Sequence, residues 1–412
     1  MITTINNKHK ELNFSSEREQ SQACLNSAEH EKNQGRKVLN VPNLRFPEFQ
    51  GEWKVESIKD VADFMGGGTP SSSNESFWQG TIPWVSSSDI VENDIKNISI
   101  SRYITEEAIA HSATKLCPAP SILIVSRVGV GKIALSKEAI CTSQDFCNLI
   151  NIKVEPIFLT YCLSQIMKRK SMEVQGTSIK GITTSEIQKI SINIPSLREQ
   201  KKIGKILSLL DERIATQNKI IEDLKKLKSA ISKKLLCNDK WSTCIIQDIA
   251  EIGRGRVISS VEIERQKHPL YPVYSSQTSN DGIMGYLDDY MFDGEYITWT
   301  TDGANAGTVF YRKGKFNCTN VCGTLKILPK FDCYFVSLVL QQATQKYVSS
   351  NLANPKLMNN TMASIKIRMP NIETQKQLSK VFQTLDSCLL VHQRTCKMYL
   401  SEKQYLLRQM FI

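Results

Sequence analysis

The stretch Ser126–Leu135, SRVGVGKIAL, is the first place where residue types and spacing could do chemistry. A lysine behind closely spaced glycines could cradle the phosphates of a nucleotide. The phosphate loop needs Gly-x-x-x-x-Gly-Lys-Ser/Thr, whose backbone N–H groups wrap the phosphates while the hydroxyl meets magnesium. Here Ser126 stands at the first glycine position and Ile133 at the hydroxyl position. The preferred reading is a hairpin turn between two strands.

Other catalytic sets fail in the same way. Asn354–Leu357, NPKL, is similar to the Asn-Pro-Pro-aromatic loop of adenine methyltransferases, but the second proline and the stacking aromatic are absent. No glycine-rich cofactor loop pairs with it, and no Asp-x(n)-Glu-x-Lys nuclease cluster is evident. Five scattered histidines assign no Ser/His/Asp set, and 12 cysteines include no Cys-x-x-Cys pair. The tightest cysteines, Cys318 and Cys322, are mirrored by Cys141 and Cys147 and read as small buried thiols in a reducing cytoplasm. No metal site and no catalytic residue are expected; the chain should bind rather than catalyse.

The elements that carry these residues follow from length and pattern. The chain has 412 residues, 41% apolar and 23% charged, which fits a soluble protein of two or three domains. No apolar run reaches the roughly 18 residues of a membrane span, and the N-terminus has no apolar signal region. A net charge of +11 suits a polyanion partner, DNA or RNA before membrane. Residues 1–40 are polar and read as a mobile leader.

The remainder runs twice. IPSLREQKKIGKILSLLDERI at Ile194 returns 175 residues later as MPNIETQKQLSKVFQTLDSCL at Met369. WKVESIKDVADFMGGG at Trp53 is matched by WSTCIIQDIAEIGRGR at Trp241, and SILIVSRVGVGKIAL (Ser121–Leu135) by YITWTTDGANAGTVF (Tyr296–Phe310). FCNLINI (Phe146–Ile152) is matched by VCGTLKI (Val321–Ile327), and the amphipathic IFLTYCLSQIM (Ile157–Met167) by YFVSLVLQQAT (Tyr334–Thr344). Five matches in one order establish an internal duplication. Each half reads as an α+β domain followed by one long helix. The boundaries are a leader at 1–40, domain one at 41–193, a helix at 194–238, domain two at 239–368 and a helix at 369–412.

The long helices carry a heptad seam. Ile203, Leu207, Leu210, Ile214, Gln217, Ile221, Leu224, Lys228, Ile231 and Leu235 alternate steps of four and three. The seam recurs as Leu378, Phe382, Leu385, Leu389, His392, Cys396, Tyr399, Lys403, Leu406 and Met410. Even the polar interruptions coincide, Gln217 with His392 and Lys228 with Lys403. The expected fold is two pseudo-symmetric globular domains separated by an antiparallel coiled-coil pair, a spacer of roughly 60 Å.

LRFPEFQGEW, GGGTPSS, IPWVSSSDI, QGTSIKGITTSEIQKISINIPSLREQKKI and the two long helices together resemble the specificity subunit of type I restriction-modification enzymes, from about Val41 onward. The resemblance implies two target-recognition domains, each reading one half of a split site in double-stranded DNA. It implies docking of two adenine-methylating modification subunits, joined by motor-nuclease restriction subunits. It also implies a chain with no active site and no cofactor of its own, S-adenosylmethionine, ATP and Mg belonging to the partner subunits. Carried over on QGTSIKG, Thr177, Ser178 and Lys180 lie near DNA, with Lys356 as the counterpart in the second half.

Recognition needs hydrogen-bonding side chains at base edges and cations at phosphates. In domain one the candidates are Ser86, Ser87 and Ser88 after the IPW strand, with Arg127 and Lys132 flanking the glycine turn. In domain two they are Ser275, Ser276 and Gln277 after YPVY, Arg254 and Arg256 in GRGR, and Thr300, Thr301 and Asn305 in the strand turn. Two other classes compete: a coiled-coil scaffold whose domains bind peptide or carbohydrate, and a nucleotide-dependent enzyme built on VGVGK.

Overall fold

The structure is a computed structural model that describes residues 39–174, 181–236, 238–349 and 354–412. Residues 1–38, and Thr177, Ser178 and Lys180, therefore lie outside the described residues. The chain divides into two compact units, one running up to Leu210 and including Ser401–Ile412, the other Asp211–Leu400. Among the described residues no helix is long and apolar enough to cross a membrane.

Unit one carries β1 (Lys54–Ser57), β2 (Asp63–Gly66), β3 (Ile82–Val85), β4 (Arg102–Ile104), β5 (Leu116–Cys117), β6 (Ser121–Val125), β7 (Ile133–Ser136), β8 (Ile140–Thr142), β9 (Phe146–Ile150) and β10 (Ser191–Ile194). They form a β2-β9-β6-β7 sheet, a β4-β3-β8-β5 sheet and a β1-β10 ribbon. The apolar runs SILIV in β6 and FCNLI in β9 are buried at every position, so both faces are covered. Helix α1 (Pro156–Val174) lies against β6 and β7.

Unit two carries β11 (Ser242–Ile245), β12 (Ala250–Arg254), β13 (Tyr271–Tyr274), β14 (Ile283–Leu287), β15 (Phe292–Thr300), β16 (Val309–Cys318), β17 (Cys322–Ile327) and β18 (Lys366–Met369). Its sheet has the order β12-β17-β15-β16-β13-β14, with a β11-β18 ribbon. The duplication is visible strand by strand. β2-β9-β6-β7 corresponds to β12-β17-β15-β16, and the parallel pair β3·β8 corresponds to β13·β16. The long β16 covers what β7 and β8 do in unit one, where Lys137–Ala139 interrupt the strand.

Two long helices, α2 (Leu197–Leu235) and α4 (Ile372–Gln409), follow the ribbons, and α3 (Cys333–Ala343) is the counterpart of α1. The prolines sit outside the helices: Ser196 and Asn371 cap them, with Ser196 Oγ accepting from Glu199 N at 3.3 Å and Asn371 Oδ1 from Thr374 N at 2.9 Å. Pro195 and Pro370 contribute carbonyls instead. Gln200 Nε2 donates to Pro195 O at 2.8 Å while Gln200 Oε1 accepts from Glu155 N at 2.9 Å. Gln375 Nε2 donates to Pro370 O at 2.8 Å while Gln375 Oε1 accepts from Asp332 N at 2.9 Å. One buried glutamine thus fastens each long helix to the start of the shorter helix beside it.

Every seam position of α2 and α4 is buried or half-buried, with exposed residues between. Within unit two the helices run antiparallel. Arg213 Nη1 donates to Tyr399 Oη at 3.3 Å, Cys396 Sγ lies 3.3 Å from Asn218 Oδ1, and Lys228 pairs with Asp386. The polar residues interrupting the seam are therefore bonded to each other or to neighbours. The expected α+β class with an antiparallel coiled-coil pair is the one found.

The LRFPEFQGEW segment belongs to unit one. Arg45 Nε and Nη2 each reach the buried Glu199 carboxylate at 2.8 Å, and Leu44 N donates to Gln409 O at 2.9 Å. Phe411 stacks on Phe158 at 5.4 Å, so the end of α4 packs where this segment and α1 meet.

Candidate nucleic-acid interface

In unit one the loop after β3, Ser86–Asp89, lies beside the turn that joins β8 to β9. Ser143 N donates to Val85 O at 2.9 Å. A Cβ at Gly67 would fall 2.1 Å from Ser143 O, so only glycine allows the GGGTPSS loop to lie against that turn. There Thr69 Oγ1 donates to Gln144 Oε1. The β6–β7 turn joins the same edge: Lys132 Nζ donates to Ser87 O at 3.1 Å, and Gly129 and Gly131 hold φ of +88° and +102°. Arg127 is exposed on this turn, and Ile182 N donates to Ser126 O at 2.8 Å. Gly181 lies beside Arg127.

Unit two builds the same edge from different residues. Gly255 takes the place of Gly67, a Cβ there falling 2.1 Å from Cys318 O, and Thr319 N donates to Tyr274 O at 2.9 Å. Asn305 Nδ2 donates to Ser276 O at 3.3 Å, bringing the β15–β16 turn to the loop after β13. Arg254 Nε donates to Asn320 O at 2.5 Å, and its Nη2 lies 3.3 Å from Asp302 Oδ2. Lys356 Nζ stands 3.6 Å from Asp302 Oδ1. One carboxylate thus holds two half-exposed cations side by side, an arrangement that a phosphate could take over by replacing it.

Burial overturns two of the site expectations. Thr300 and Thr301 are 1% and 0% exposed, so they cannot meet a base edge; Thr301 Oγ1 donates to Asp302 Oδ2 at 2.6 Å. Arg256, like Arg254, is half-exposed and paired with a carboxylate, its Nη2 2.5 Å from Glu262 Oε1. That contact raises the Arg256 pKa and lowers that of Glu262. Ser86 Oγ accepts from Arg102 Nη2 and donates to Asp89 Oδ2, whereas Ser88 is exposed. Gln277 Nε2 is turned inward onto Ile283 O. Asp302, Asn320, Thr69 and Gln144 join the candidates at this edge through packing alone.

The VGVGK and NPKL stretches both lie in connections between elements. The VGVGK turn connects two strands and opens no helix, so it lacks the helix N-terminus that a phosphate loop uses. Pro355 O of the NPKL stretch accepts from Gly303 N at 3.0 Å. Among the described residues no His, Cys, Asp and Glu cluster could hold a metal ion. Burial pushes the thiols of Cys117 and Cys322 up to about 11, away from nucleophilic use.

A family profile matches on both halves. The profile of the type I restriction modification DNA specificity domain matches residues 50–226 and again 238–397. One Mycoplasma pneumoniae protein described as a type I specificity subunit is 40% identical over 195 residues, covering 47% of this chain and 81% of that protein. A second from the same organism is 38% identical over 210 residues, covering 49% and 78%. The crystal structure of a type I restriction-modification S subunit from M. genitalium superposes with a TM-score of 0.67 at 18% identity, covering 90% of this chain and 99% of that one. With the specificity domain present twice, on two units of matching strand order, this chain belongs to the type I restriction-modification specificity subunits.

Proposed function

We propose that the chain is the DNA-reading subunit of a type I complex, each unit recognising one half of a split double-stranded site. The observation that carries this reading is the edge built twice at one topological position. In both units a loop after the parallel-paired strand, a glycine-tightened loop and a hairpin turn converge, with different polar residues on each. Equivalent placement with different side chains suits two readers of different bases.

Catalysis belongs to the partners in this reading. Two modification subunits dock on the chain and bring S-adenosylmethionine; restriction subunits bring ATP and Mg. The complex works in the cytoplasm, where its DNA is. The chain binds no cofactor and neither cuts nor methylates DNA alone. The helix pair sets the half-site spacing.

The test is methylation mapping with the modification subunits present. Exchanging residues 52–193 for those of a relative should change one half of the methylated site and leave the other intact. A swap that altered both halves, or methyl transfer by the isolated chain, would overturn the reading.

A further inference from the structure

In each unit an arginine lying over at least one aromatic ring grips an aspartate in the loop after the parallel-paired strand. In unit one Arg102, on β4, lies 4.6 Å from the Trp84 ring centroid. Its Nη2 donates to Ser86 Oγ at 2.7 Å and pairs with the Asp89 carboxylate. Asp89 Oδ2 also accepts from Ser86 N at 2.7 Å, which closes the loop on itself.

In unit two Arg312, on β16, is 4% exposed, with its guanidinium carbon 3.6 Å from the Tyr274 ring centroid and 4.4 Å from that of Phe310. Its Nη1 donates to Asp281 Oδ2 and its Nη2 to Asp281 O, each at 2.8 Å. The loop it holds has three successive left-handed residues, Asn280, Asp281 and Gly282, with φ of +49°, +53° and +82°. Two of them are not glycine, and such a backbone persists only where its surroundings over-determine it.

The two arginines are not copies of one another. Arg102 stands on a strand antiparallel to β3, whereas Arg312 stands on the strand parallel to β13. Duplication therefore did not place them at one position; each loop has its own clamp from a different strand. We propose that Arg102 and Arg312 are positioning residues, each fixing the shape of one half-site-reading loop and so setting base discrimination at its own half-site. Direct readout depends on donor and acceptor placement, whereas phosphate contacts tolerate a looser loop. Loss of the clamp should therefore cost discrimination before it costs affinity.

This inference rests on the reading of the chain as a split-site DNA reader. The test uses the complex with its modification subunits and duplexes carrying the cognate site or one altered base in either half. Arg312→Lys keeps the charge and loses the fork and the stacking. Asp281→Asn removes the ion pair at a side chain 70% exposed and keeps a residue type that tolerates the left-handed backbone, with a melting curve to check that the fold is kept. Both should lower discrimination at the second unit's half-site about tenfold, the scale of one base contact, and leave the other half-site unchanged. Arg102→Lys and Asp89→Asn should give the mirror result. Reduced binding with both discrimination ratios unchanged would mean a structural role and overturn the inference. So would relaxation of both half-sites together, or relaxation by Asp281→Asn alone, which would make Asp281 the reader. A wild-type complex without split-site preference would overturn the underlying reading and this inference with it.

Discussion

His392 Nδ1 lies 2.8 Å from Gln217 Oε1, and the two residues are equivalent in the repeat, 175 positions apart. Two antiparallel copies of one helix bring equivalent residues together only at their centre. The Gln217–His392 pair therefore marks the local dyad of the helix pair. A polar pair there specifies register at a cost in stability. Replacing both by leucine should raise the denaturation midpoint, a gain of about 1–2 kcal/mol, the lower part of the range for polar-to-apolar replacement. Hydrogen exchange should then show less uniform protection along α2 and α4. A double-leucine protein less stable than the original would contradict this.

Inserting one heptad after Lys225 and a matching one after Ser387 keeps the seam in register. It should lengthen the helix pair by roughly 10 Å. At ~3.4 Å per base pair the half-sites should move apart by about three base pairs. Methylation mapping reads the new spacing; an active mutant with the old spacing would show that the helices do not set it.

The buried glutamines predict equal effects in the two halves. Gln200→Ala leaves Pro195 O and Glu155 N without their partner, and Gln375→Ala does the same to Pro370 O and Asp332 N. Each should destabilise its own unit by about 2–4 kcal/mol, the cost of stranding two backbone groups that are buried or part-buried. Urea titration followed by hydrogen exchange would localise the loss. Effects below ~0.5 kcal/mol would mean that water replaces the bonds.

Salt dependence tests the second unit's cations. If Arg254 and Lys356 meet phosphates, replacing either by alanine should lower the slope of log affinity against log salt by about one. Asp302→Asn releases both cations, so non-specific affinity should rise while the preference for the cognate site falls. Unchanged slopes in both alanine variants would remove these residues from the interface.

Cys388 is exposed, whereas Cys117, Cys141, Cys147, Cys162, Cys318, Cys322 and Cys333 are buried. Burial raises the pKa of each of these buried thiols. Iodoacetamide at pH 8 should label Cys388 on the folded chain and spare those seven until denaturant is added. Early labelling of Cys318 or Cys322, read by peptide mass spectrometry, would show that unit two opens there.

The sequence by itself determined the duplication, the helix seams and the hairpins. Those features are written in local periods: apolar steps of three and four along a helix, glycines where φ must be positive, buried runs such as SILIV. Tertiary structure decided which loop residues are available. Thr300 and Thr301 look no more buried in sequence than Ser275, yet the sheet encloses them. Arg256 and Arg254 are neighbours in GRGR, but one faces Glu262 and the other Asp302. The arginine clamps lie 13 and 31 residues from their aspartates, on strands whose pairing no local pattern specifies. Periodicity is set by a residue's own neighbours along the chain. Burial and ion pairing are set by whatever the folded sheet brings within a few ångströms, and that is decided only when distant strands find their register.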